Sequence, residues 1–352
     1  PISRAELARQ SGLQRSTVSQ IIEQLLAEKW VCEGQTAVSQ RGRRPTLIRL
    51  NESLVALAVD IHPRQAIIAM VDLNGRLISR SMAPLSRDAV ASTDLILEAM
   101  SRLKAGLGTL SIEGIGVSLP GRVDPHNDQL LFAPNLHWRD FDLKSAIEKR
   151  MKQPVHVANA AIACLLAQLT FHHDEGNRDA VLITASEGVG AAIFANGSII
   201  TGHDGMAGEF GHISIDLEGP ECACGRRGCW EVFASCRAAV RYFKELQPQH
   251  RSVTFGELLN LAEEGNEPAG AALERQAREI GEGLRLVMAA LSPAVVYIAG
   301  EVTSAWHRYR PIIEKAVRGV TIAGSPPAIV PIPDGDLARL RGAAALVFQR
   351  RA

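Results

Sequence analysis

Residues 208–231 read Gly-Glu-Phe-Gly-His-Ile-Ser-Ile-Asp-Leu-Glu-Gly-Pro-Glu-Cys-Ala-Cys-Gly-Arg-Arg-Gly-Cys-Trp-Glu. Cys222, Cys224 and Cys229 fall within eight residues, and His212 lies ten residues before the first of them. One imidazole and three thiolates form the Cys₃His ligand set of a closed, tetrahedral zinc site. Glycines between the cysteines allow the loop to curl until the sulfurs converge. We therefore predict one structural zinc ion per chain, bound by these four residues.

A disulfide, with Cys236 as a further partner, is the alternative explanation of these cysteines. A Cys-x-Cys disulfide would close a small, strained ring. The sequence also contains no signal peptide that would direct the chain to an oxidising compartment. Both considerations favour zinc.

The same stretch carries a resemblance to a known family. Glu-Phe-Gly-His followed by Cys-Ala-Cys-Gly-Arg-Arg-Gly-Cys-Trp-Glu resembles the signature of the ROK family (repressors, open reading frames and sugar kinases). The resemblance implies an α/β, actin-like, ribonuclease H-like sugar-kinase fold of two lobes, in which the zinc loop braces a sugar pocket. Glu209 and Glu231 would then hydrogen-bond sugar hydroxyls, while His212 would contact the sugar with one nitrogen and zinc with the other.

Two asparagines are further candidates by the same resemblance. Asn159 matches a sugar-binding position, and Asn135, within Ala-Pro-Asn-Leu-His-Trp, matches another. Asparagine is also a common turn residue, so the sequence alone explains Asn135 equally well as part of a turn.

Composition describes an ordinary globular protein with no membrane insertion. The 352 residues are 46% hydrophobic and 22% charged, and no apolar run reaches transmembrane length. We expect a cytoplasmic protein of two or three domains. Because Pro1 already lies within a helical pattern, we also expect that further residues precede it.

The first 50 residues are basic, although the whole chain is neutral. They hold eight Lys/Arg against four Asp/Glu, which leaves the remainder acidic. A basic end on an acidic protein favours an anionic partner for that end.

A helix-turn-helix is predicted near the start of the chain. Ser3 and Glu6 form the pattern of a capping box, Gly12 ends the first helix, and Ser16 would cap the second. The second helix would enter the DNA major groove, although any small αα-hairpin has a similar pattern. The residues that would reach DNA from this helix are Gln14, Arg15, Ser16, Thr17 and Gln20.

A basic turn follows between two predicted strands in residues 31–50. Arg41, Arg43 and Arg44 surround Gly42, and they could contact phosphates or the minor groove. Charge runs are often only solvated surface. Directly after a helix-turn-helix, however, this one favours a winged helix-turn-helix domain over residues 1–50, and the turn resembles the wing of ROK repressors. We expect dimers or tetramers that bind an inverted repeat, since one recognition helix contacts only a half-site.

Residues 54–352 are predicted to form the kinase-like effector domain, with departures from the kinase pattern. ROK kinases have a glycine-rich phosphate loop after the strand that ends at Asp60, whereas this chain continues Ile-His-Pro-Arg, and Pro63 has no N–H to donate. In the second phosphate loop, Glu187 stands where a threonine is usual. A carboxylate there would repel a triphosphate.

The catalytic base of the family is also missing. ROK kinases carry Glu-Asn-Asp-x-Asn where this chain has residues 158–162, so Ala160 replaces the aspartate that removes the sugar proton. Alanine cannot transfer a proton. We therefore expect a regulator that binds a sugar or sugar phosphate without phosphorylating it, and not an enzyme. The alternatives are an active hexose kinase with a DNA-binding appendage, and a regulator controlled by a partner protein.

Overall fold

The structure is a computed structural model that describes residues 1–36, 46–106, 108–172, 178–249, 252–318 and 325–351. The helices of these residues are α1 Arg4–Ser11, α2 Arg15–Ala27, α3 Ala89–Ala105, α4 Leu143–Met151, α5 Ala160–Phe171, α6 Glu231–Ala234, α7 Cys236–Leu246, α8 Phe255–Glu263, α9 Glu267–Leu291, α10 Trp306–Arg318 and α11 Gly335–Arg351. The strands are β1 Ile2–Ser3, β2 Val31–Thr36, β3 Thr46–Leu50, β4 Leu54–Ile61, β5 Gln65–Asp72, β6 Leu77–Pro84, β7 Ser111–Leu119, β8 Arg122–Val123, β9 Leu130–Ala133, β10 Trp138–Arg139, β11 Val155–Asn159, β12 Ala180–Ala185, β13 Val189–Ala195, β14 Ser198–Ile200, β15 Val295–Ala299 and β16 Ala328–Pro331. Single 3₁₀ turns cover Glu209–His212 and Glu301–Ala305.

Two five-stranded sheets of identical connectivity form the two lobes. The first has the order β11-β7-β4-β5-β6 and the second β14-β13-β12-β15-β16. Each begins with an antiparallel meander, and two further strands are then added, in parallel, beside its first strand. The lobes are therefore a structural repeat, which the sequence analysis did not detect.

Helices α5 and α11 lie between the two sheets. Buried side chains of α5 pack with β12 and β15, while α11 covers β4 and β5. Helix α11 packs closely on β7 and α5 because glycines lie at the contacts. A Cβ on Gly116 of β7 would lie 1.7 Å from the Ala343 carbonyl oxygen, and one on Gly342 of α11 would lie 1.7 Å from the Ala163 carbonyl oxygen. The C-terminal helix thus returns to the first lobe and helps to form the cleft.

The described residues among the first 50 form two helices and the small sheet β1-β3-β2. Ser3 accepts a hydrogen bond from the Glu6 amide at 3.2 Å, and Gly12 ends α1 with φ of 69°. The predicted cap of the second helix was wrong. Helix α2 begins at Arg15, and Ser16 lies within its first turn, because the extended backbone that precedes the helix is at Gln14.

Another local prediction also needs correction. The Glu6 carboxylate pairs with Arg9 and Gln10 on its own helix, and the only side-chain bond at the Ser3 cap is the one that Ser3 accepts. Trp30 packs against a cluster that includes Phe348 of α11, and this contact joins the N-terminal region to the first lobe. Among the described residues, no helix combines the length and apolarity needed to cross a bilayer.

Candidate metal centre and ligand pocket

The four predicted metal ligands come together. The ligand atoms of His212, Cys222, Cys224 and Cys229 all lie within 4.8 Å of one another. The Sγ atoms of Cys224 and Cys229 are 3.6 Å apart, and Cys222 Sγ is 3.7 Å from His212 Nδ1. Sulfur at about 2.3 Å and nitrogen at about 2.0 Å from a tetrahedral zinc ion would be separated by about 3.8 Å (S–S) and about 3.5 Å (N–S). The spacing fits a zinc ion.

The backbone of the loop explains why the ligands converge. The Gly225 amide donates to the Cys222 carbonyl at 2.9 Å in a tight turn, and Gly225 has φ of 89°. Gly228 has φ of 64°, and a Cβ there would lie 1.4 Å from the Asp216 carbonyl oxygen, so that no side chain fits. Ser214 then bridges to Cys229. The glycines are thus required where the loop folds back on itself.

The thiols of this cluster have shifted pKa values. Burial, followed by the adjacent thiols, raises the pKa of Cys229 to about 12. Burial also raises the pKa of Cys222. A divalent cation at the centre of the cluster favours thiolates over thiols. Metal binding would therefore release protons, and the affinity for metal would fall as the pH falls.

The side chains predicted to contact a sugar border the same loop. His212 directs Nδ1 at Cys222, and its Nε2 lies 3.8 Å from Glu209 Oε2. This arrangement leaves one imidazole nitrogen for a metal and the other on the side of Glu209. The side chains of His212 and Glu209 are 37% and 39% exposed, so that both remain accessible to a ligand.

Glu231 begins α6 and reaches the start of β13. Its Oε2 accepts from the Val189 amide at 3.1 Å, and its Oε1 from Arg237 Nη2 at 3.3 Å. The 3₁₀ turn that carries Glu209 abuts the same strand: a Cβ on Gly211 would lie 2.2 Å from the Val189 carbonyl oxygen. Glu209, His212 and Glu231 are therefore grouped around the first residues of β13.

Asn159 caps the start of α5, a helix that also contacts β13. Its Oδ1 accepts from the Ala161 amide at 2.8 Å and caps the helix, while its Nδ2 donates to the Gly121 carbonyl at 2.7 Å. Ala160 is the first residue of the helix, and a Cβ on Gly190 of β13 would lie 3.7 Å from the Ala161 Cβ. Asn159 therefore has a structural role in addition to any contact with a ligand.

Asn135 occupies an exposed turn between β9 and β10. This position agrees with the turn explanation, and it leaves the side chain free for a ligand. A Cβ on Gly121 would lie 2.7 Å from the Phe132 carbonyl oxygen, so that β9 and the Asn159 partner Gly121 are in contact. The structure thus brings Asn135 to the same region as Asn159, without a direct bond between them.

The end of β4, where the resemblance places the first phosphate loop, is held by ion pairs within the protein. Asp60, at the end of β4, has no exposed side-chain surface, and its Oδ2 lies 2.7 Å from His62 Nε2 and 2.9 Å from Arg339 Nε. Arg339 comes from α11 and also pairs with Asp336. Burial alone would lower the pKa of Arg339, but the Asp60 carboxylate reverses this effect and raises it. Ligand atoms of Asp60, His62 and Asp336 are also close enough for a metal, but the Arg339 guanidinium already pairs with both carboxylates.

Arg237 contacts Glu187, in the segment that resembles the second phosphate loop. Its Nε donates to the Glu187 carbonyl at 2.6 Å, and it lies 3.9 Å from the Glu187 carboxylate. Gly300 approaches the same loop, because a Cβ there would lie 2.3 Å from the Ala185 carbonyl oxygen. Glu187 and Glu301 are both exposed, which makes this side of the cleft acidic. The sequence analysis identified Glu187, but it missed Arg237 and Arg339, for which no local pattern exists.

The candidate DNA-binding residues at the start of the second helix are all exposed. They are Gln14, Arg15, Ser16, Thr17 and Gln20, at or near the start of α2. Arg41, Arg43 and Arg44 lie outside the described residues, between β2 and β3.

Comparison with known proteins identifies the larger part of the chain. Residues 56–350 match the ROK family. The chain is 29% identical over 306 residues to the xylose repressor of Bacillus subtilis (strain 168), which covers 86% of this chain and 79% of that protein. It is 28% identical over 329 residues to the DNA-binding transcriptional dual regulator NagC of Escherichia coli (strain K12), covering 90% and 81% respectively.

Two similar solved structures differ in how much of this chain they cover. A ROK family glucokinase from Streptomyces griseus, in complex with glucose and AMPPNP, is 29% identical, has a TM-score of 0.76, and covers 84% of this chain and 99% of its own. A ROK family transcriptional regulator, a homolog of the E. coli MLC protein, is 24% identical, has a TM-score of 0.79, and covers 99% and 94%. The fold of the regulator thus extends over the N-terminal helices, beyond the part that the glucokinase covers.

Proposed function

The chain belongs to the ROK family, and we propose that it is a DNA-binding transcriptional regulator, most simply a repressor of sugar-metabolism genes, that responds to a sugar or sugar phosphate. The observation that carries this proposal is the extent of the structural match. The fold of a ROK regulator accounts for 99% of the chain, whereas that of a ROK glucokinase accounts for 84%. The relatives with similar sequences are a xylose repressor and NagC.

We assign residues 1–50 to a winged helix-turn-helix domain and residues 54–352 to the effector domain. Helices α1 and α2 are joined by Gly12 and followed by the strands β2 and β3, which is the order of elements in this domain type. The exposed residues at the start of α2 would contact bases and phosphates, and Arg41, Arg43 and Arg44 would form the wing. The protein would act as a homodimer or tetramer on double-stranded DNA that contains an inverted repeat.

In the effector domain, one zinc ion bound by His212, Cys222, Cys224 and Cys229 would hold the loop beside the pocket. A structural zinc stabilises a fold without taking part in chemistry. Glu209, His212, Glu231, Asn159 and Asn135 would bind sugar hydroxyls. The close grouping of the first three around β13 and the spacing of the four metal ligands support these assignments.

Similarity to a glucokinase favours a sugar kinase as the second candidate. Three features make it the weaker one. Ala160 stands at the position of the catalytic base, the buried Asp60 is already paired with Arg339, and Glu187 adds a carboxylate where phosphates would lie. We infer that closure of the lobes around a sugar serves to signal: a ligand that prefers one state shifts the equilibrium by its differential affinity.

A DNA-binding titration tests the regulator proposal. A fluorescent duplex selected from random sequence by the wild type would be titrated at several salt concentrations, with and without a panel of sugars. Arg15→Ala should weaken binding by roughly tenfold and lower the salt slope by about one. Arg80→Ala, which removes an exposed arginine of β6 far along the chain, is the matched control and should change neither.

The results of this titration distinguish a sugar-responsive regulator from the alternatives. If no duplex is selected over random DNA, the regulator proposal fails. If a duplex is selected but no sugar alters its binding, a regulator controlled by a partner protein is favoured instead.

A further inference from the structure

Arg122 is a partly buried cation without a partner. It lies in β8, and its Nε atom is inaccessible to water and has no hydrogen-bond partner among the described residues. No ion pair joins it to any carboxylate of those residues. A buried donor that lacks a partner is costly, and most such groups in native proteins are satisfied by protein, water or ligand.

The surroundings of Arg122 follow from the register of the small sheet β10-β9-β8. Arg122 and Arg139 both pair with Phe132 across the strands, so the three side chains lie on one face. Phe132 is 41% exposed, and the Arg139 guanidinium lies 4.8 Å from the centre of its ring. The opposite face packs Ala133 and Trp138 into the core. The outer face therefore combines two cations with an accessible aromatic ring.

The residues on both sides of Arg122 contact segments that carry proposed sugar-binding residues. On one side, the carbonyl of Gly121 accepts a hydrogen bond from Asn159 at 2.7 Å. On the other, a Cβ on Gly205 would lie 2.7 Å from the Val123 carbonyl oxygen, so the loop that leads to Glu209 packs on the residue after Arg122. Arg122 is thus held between the segments that carry two of the candidate sugar contacts.

The acidic groups nearby already have other partners. Asp128 contacts His156 at 3.2 Å and Lys144 at 3.7 Å. The Asp124 carboxylate accepts from the His126 amide at 2.8 Å, and Glu209 faces His212. The positive charge of Arg122 is therefore left for a group that the protein does not supply.

We propose that the effector of this protein is an anionic sugar, whose phosphate ester or carboxylate is bound by the Arg122 guanidinium. The inference rests on the proposed function, in which a sugar occupies this cleft. Arginine suits the task because its planar fork matches two oxygens of a phosphate or carboxylate at once. The residues near β13 would bind the hydroxyl groups of the sugar ring, and Arg122 would favour sugars that carry a negative charge.

Isothermal titration of the wild type with matched ligands is the first test. The panel contains neutral hexoses and hexosamines, their 6-phosphates, the corresponding uronic acids and inorganic phosphate. At least one anionic sugar should bind roughly 10- to 100-fold more tightly than its neutral parent, in line with a charge-assisted hydrogen bond. Comparing the phosphates with the uronic acids identifies which anion the site accepts.

Three variants then locate the source of this preference. Arg122→Gln should abolish the discrimination and leave the affinity for the neutral sugar unchanged, whereas Arg122→Lys should retain part of it. Arg139→Gln, on the same face but in cation–π contact with Phe132, is the control and should retain all of it. Thermal unfolding of each variant establishes that it is folded.

Several results would overturn the proposal. A wild type that binds a neutral sugar as tightly as its charged derivatives excludes an anionic effector and leaves the sugar-regulator function intact. Equal losses for neutral and anionic sugars in Arg122→Gln would make Arg122 structural. Binding of none of the sugars would remove both the inference and the sugar-responsive function.

Discussion

The two sides of the cleft between the lobes are built differently. On the side of the metal loop, Glu209 and His212 keep more than a third of their side-chain surface exposed. On the opposite side, Asp60 is fully buried and ion-paired with Arg339, whose side chain is only 13% exposed. One side presents groups that a ligand can use, whereas the other pairs its buried carboxylate with a cation of the protein, and Asp60 Oδ1 has no hydrogen-bond partner among the described residues.

This difference shows how one fold separates binding from catalysis. Recognition of hydroxyl groups needs a few positioned acceptors and donors, and the metal loop can supply them. Phosphoryl transfer also needs phosphates held in line by free donors and a base in reach of the nucleophile. A protein in which arginines pair with Asp60 and Glu187, at the segments that resemble the phosphate loops, would retain the first capacity without the second.

Loss of a metal ligand should have the largest effect, on the ligand-binding side. Cys229→Ser removes a fully buried sulfur, so that zinc content should fall below about half an equivalent per chain. The free energy of unfolding should drop by roughly 4–5 kcal/mol or more, since structural zinc contributes directly to folding. Sugar binding should be lost as well, because the loop orients Glu209 and Glu231. Elemental analysis, thermal unfolding and calorimetric titration measure the three quantities.

Cys32→Ser is the matched control, because Cys32 lies in β2, away from the metal loop. Its zinc content and sugar affinity should equal those of the wild type. Purified wild-type protein that carries little zinc, and whose loop thiols are paired as disulfides, would contradict the metal assignment.

Breaking the buried ion pair should have the next largest effect, on the opposite side. Arg339→Met leaves the buried Asp60 carboxylate without its cation, and removal of one partner of such a pair costs about 3–5 kcal/mol. The double variant Asp60→Asn/Arg339→Met should recover most of this loss, because neither charge then remains unpaired. Arg310→Met, which removes an exposed pair with Glu314, should cost less than about 1 kcal/mol. Urea unfolding of the four proteins provides the measurement, and a loss in Arg339→Met no larger than in Arg310→Met would show that the cleft is not held by this pair.

The sequence predicted those parts of the molecule that depend on local patterns. Ser3 and Gly12 were predicted at the two ends of α1, and the metal ligands were found because their spacing is short. The repeated topology of the two lobes was missed because hydrogen bonds between strands determine it, and the two lobes share no evident sequence pattern. The start of α2 was misplaced by two residues, from the predicted cap Ser16 to the observed cap Gln14, because Gln14 has the extended backbone of a cap without a capping side chain.

The remaining site residues depend on contacts between distant parts of the chain. Arg339 meets Asp60 across 279 positions, and Arg237 meets Glu187 across 50. No periodicity or motif connects such pairs. Pro63 and Glu187 indicated departures from the family's phosphate-loop pattern, but only the fold shows that Arg339 contacts Asp60 and that Arg237 contacts Glu187. Similarly, the sequence does not single out Arg122, because only the structure shows that its Nε atom has no hydrogen-bond partner among the described residues.

The smallest effect is expected from restoring the catalytic base, and it tests the comparison most directly. Ala160→Asp adds a carboxylate at the first position of α5, next to the cap Asn159. An acidic residue there interacts favourably with the helix dipole by about 0.3–1 kcal/mol, so the variant should fold and bind sugar as the wild type does. A suitable base contributes roughly 10²–10⁴-fold to proton transfer, but only for a nucleotide that is correctly bound. Because Arg339 still holds Asp60 and Pro63 still lacks an N–H, we expect no sugar-dependent release of ADP.

Adding Glu187→Thr to this variant removes the repulsive carboxylate, yet the result should be the same. Glu187 is exposed and lies 3.9 Å from Arg237, so its removal should change stability by less than about 0.5 kcal/mol. The coupled ADP assay would be run on the wild type, Ala160→Asp and the double variant, with sugar binding measured on the same samples. Sugar-dependent ADP release by the wild type would establish the kinase alternative. Release by the double variant alone would show that the Asp60–Arg339 pair does not block the nucleotide, and that the two sides of the cleft differ less than their contacts indicate.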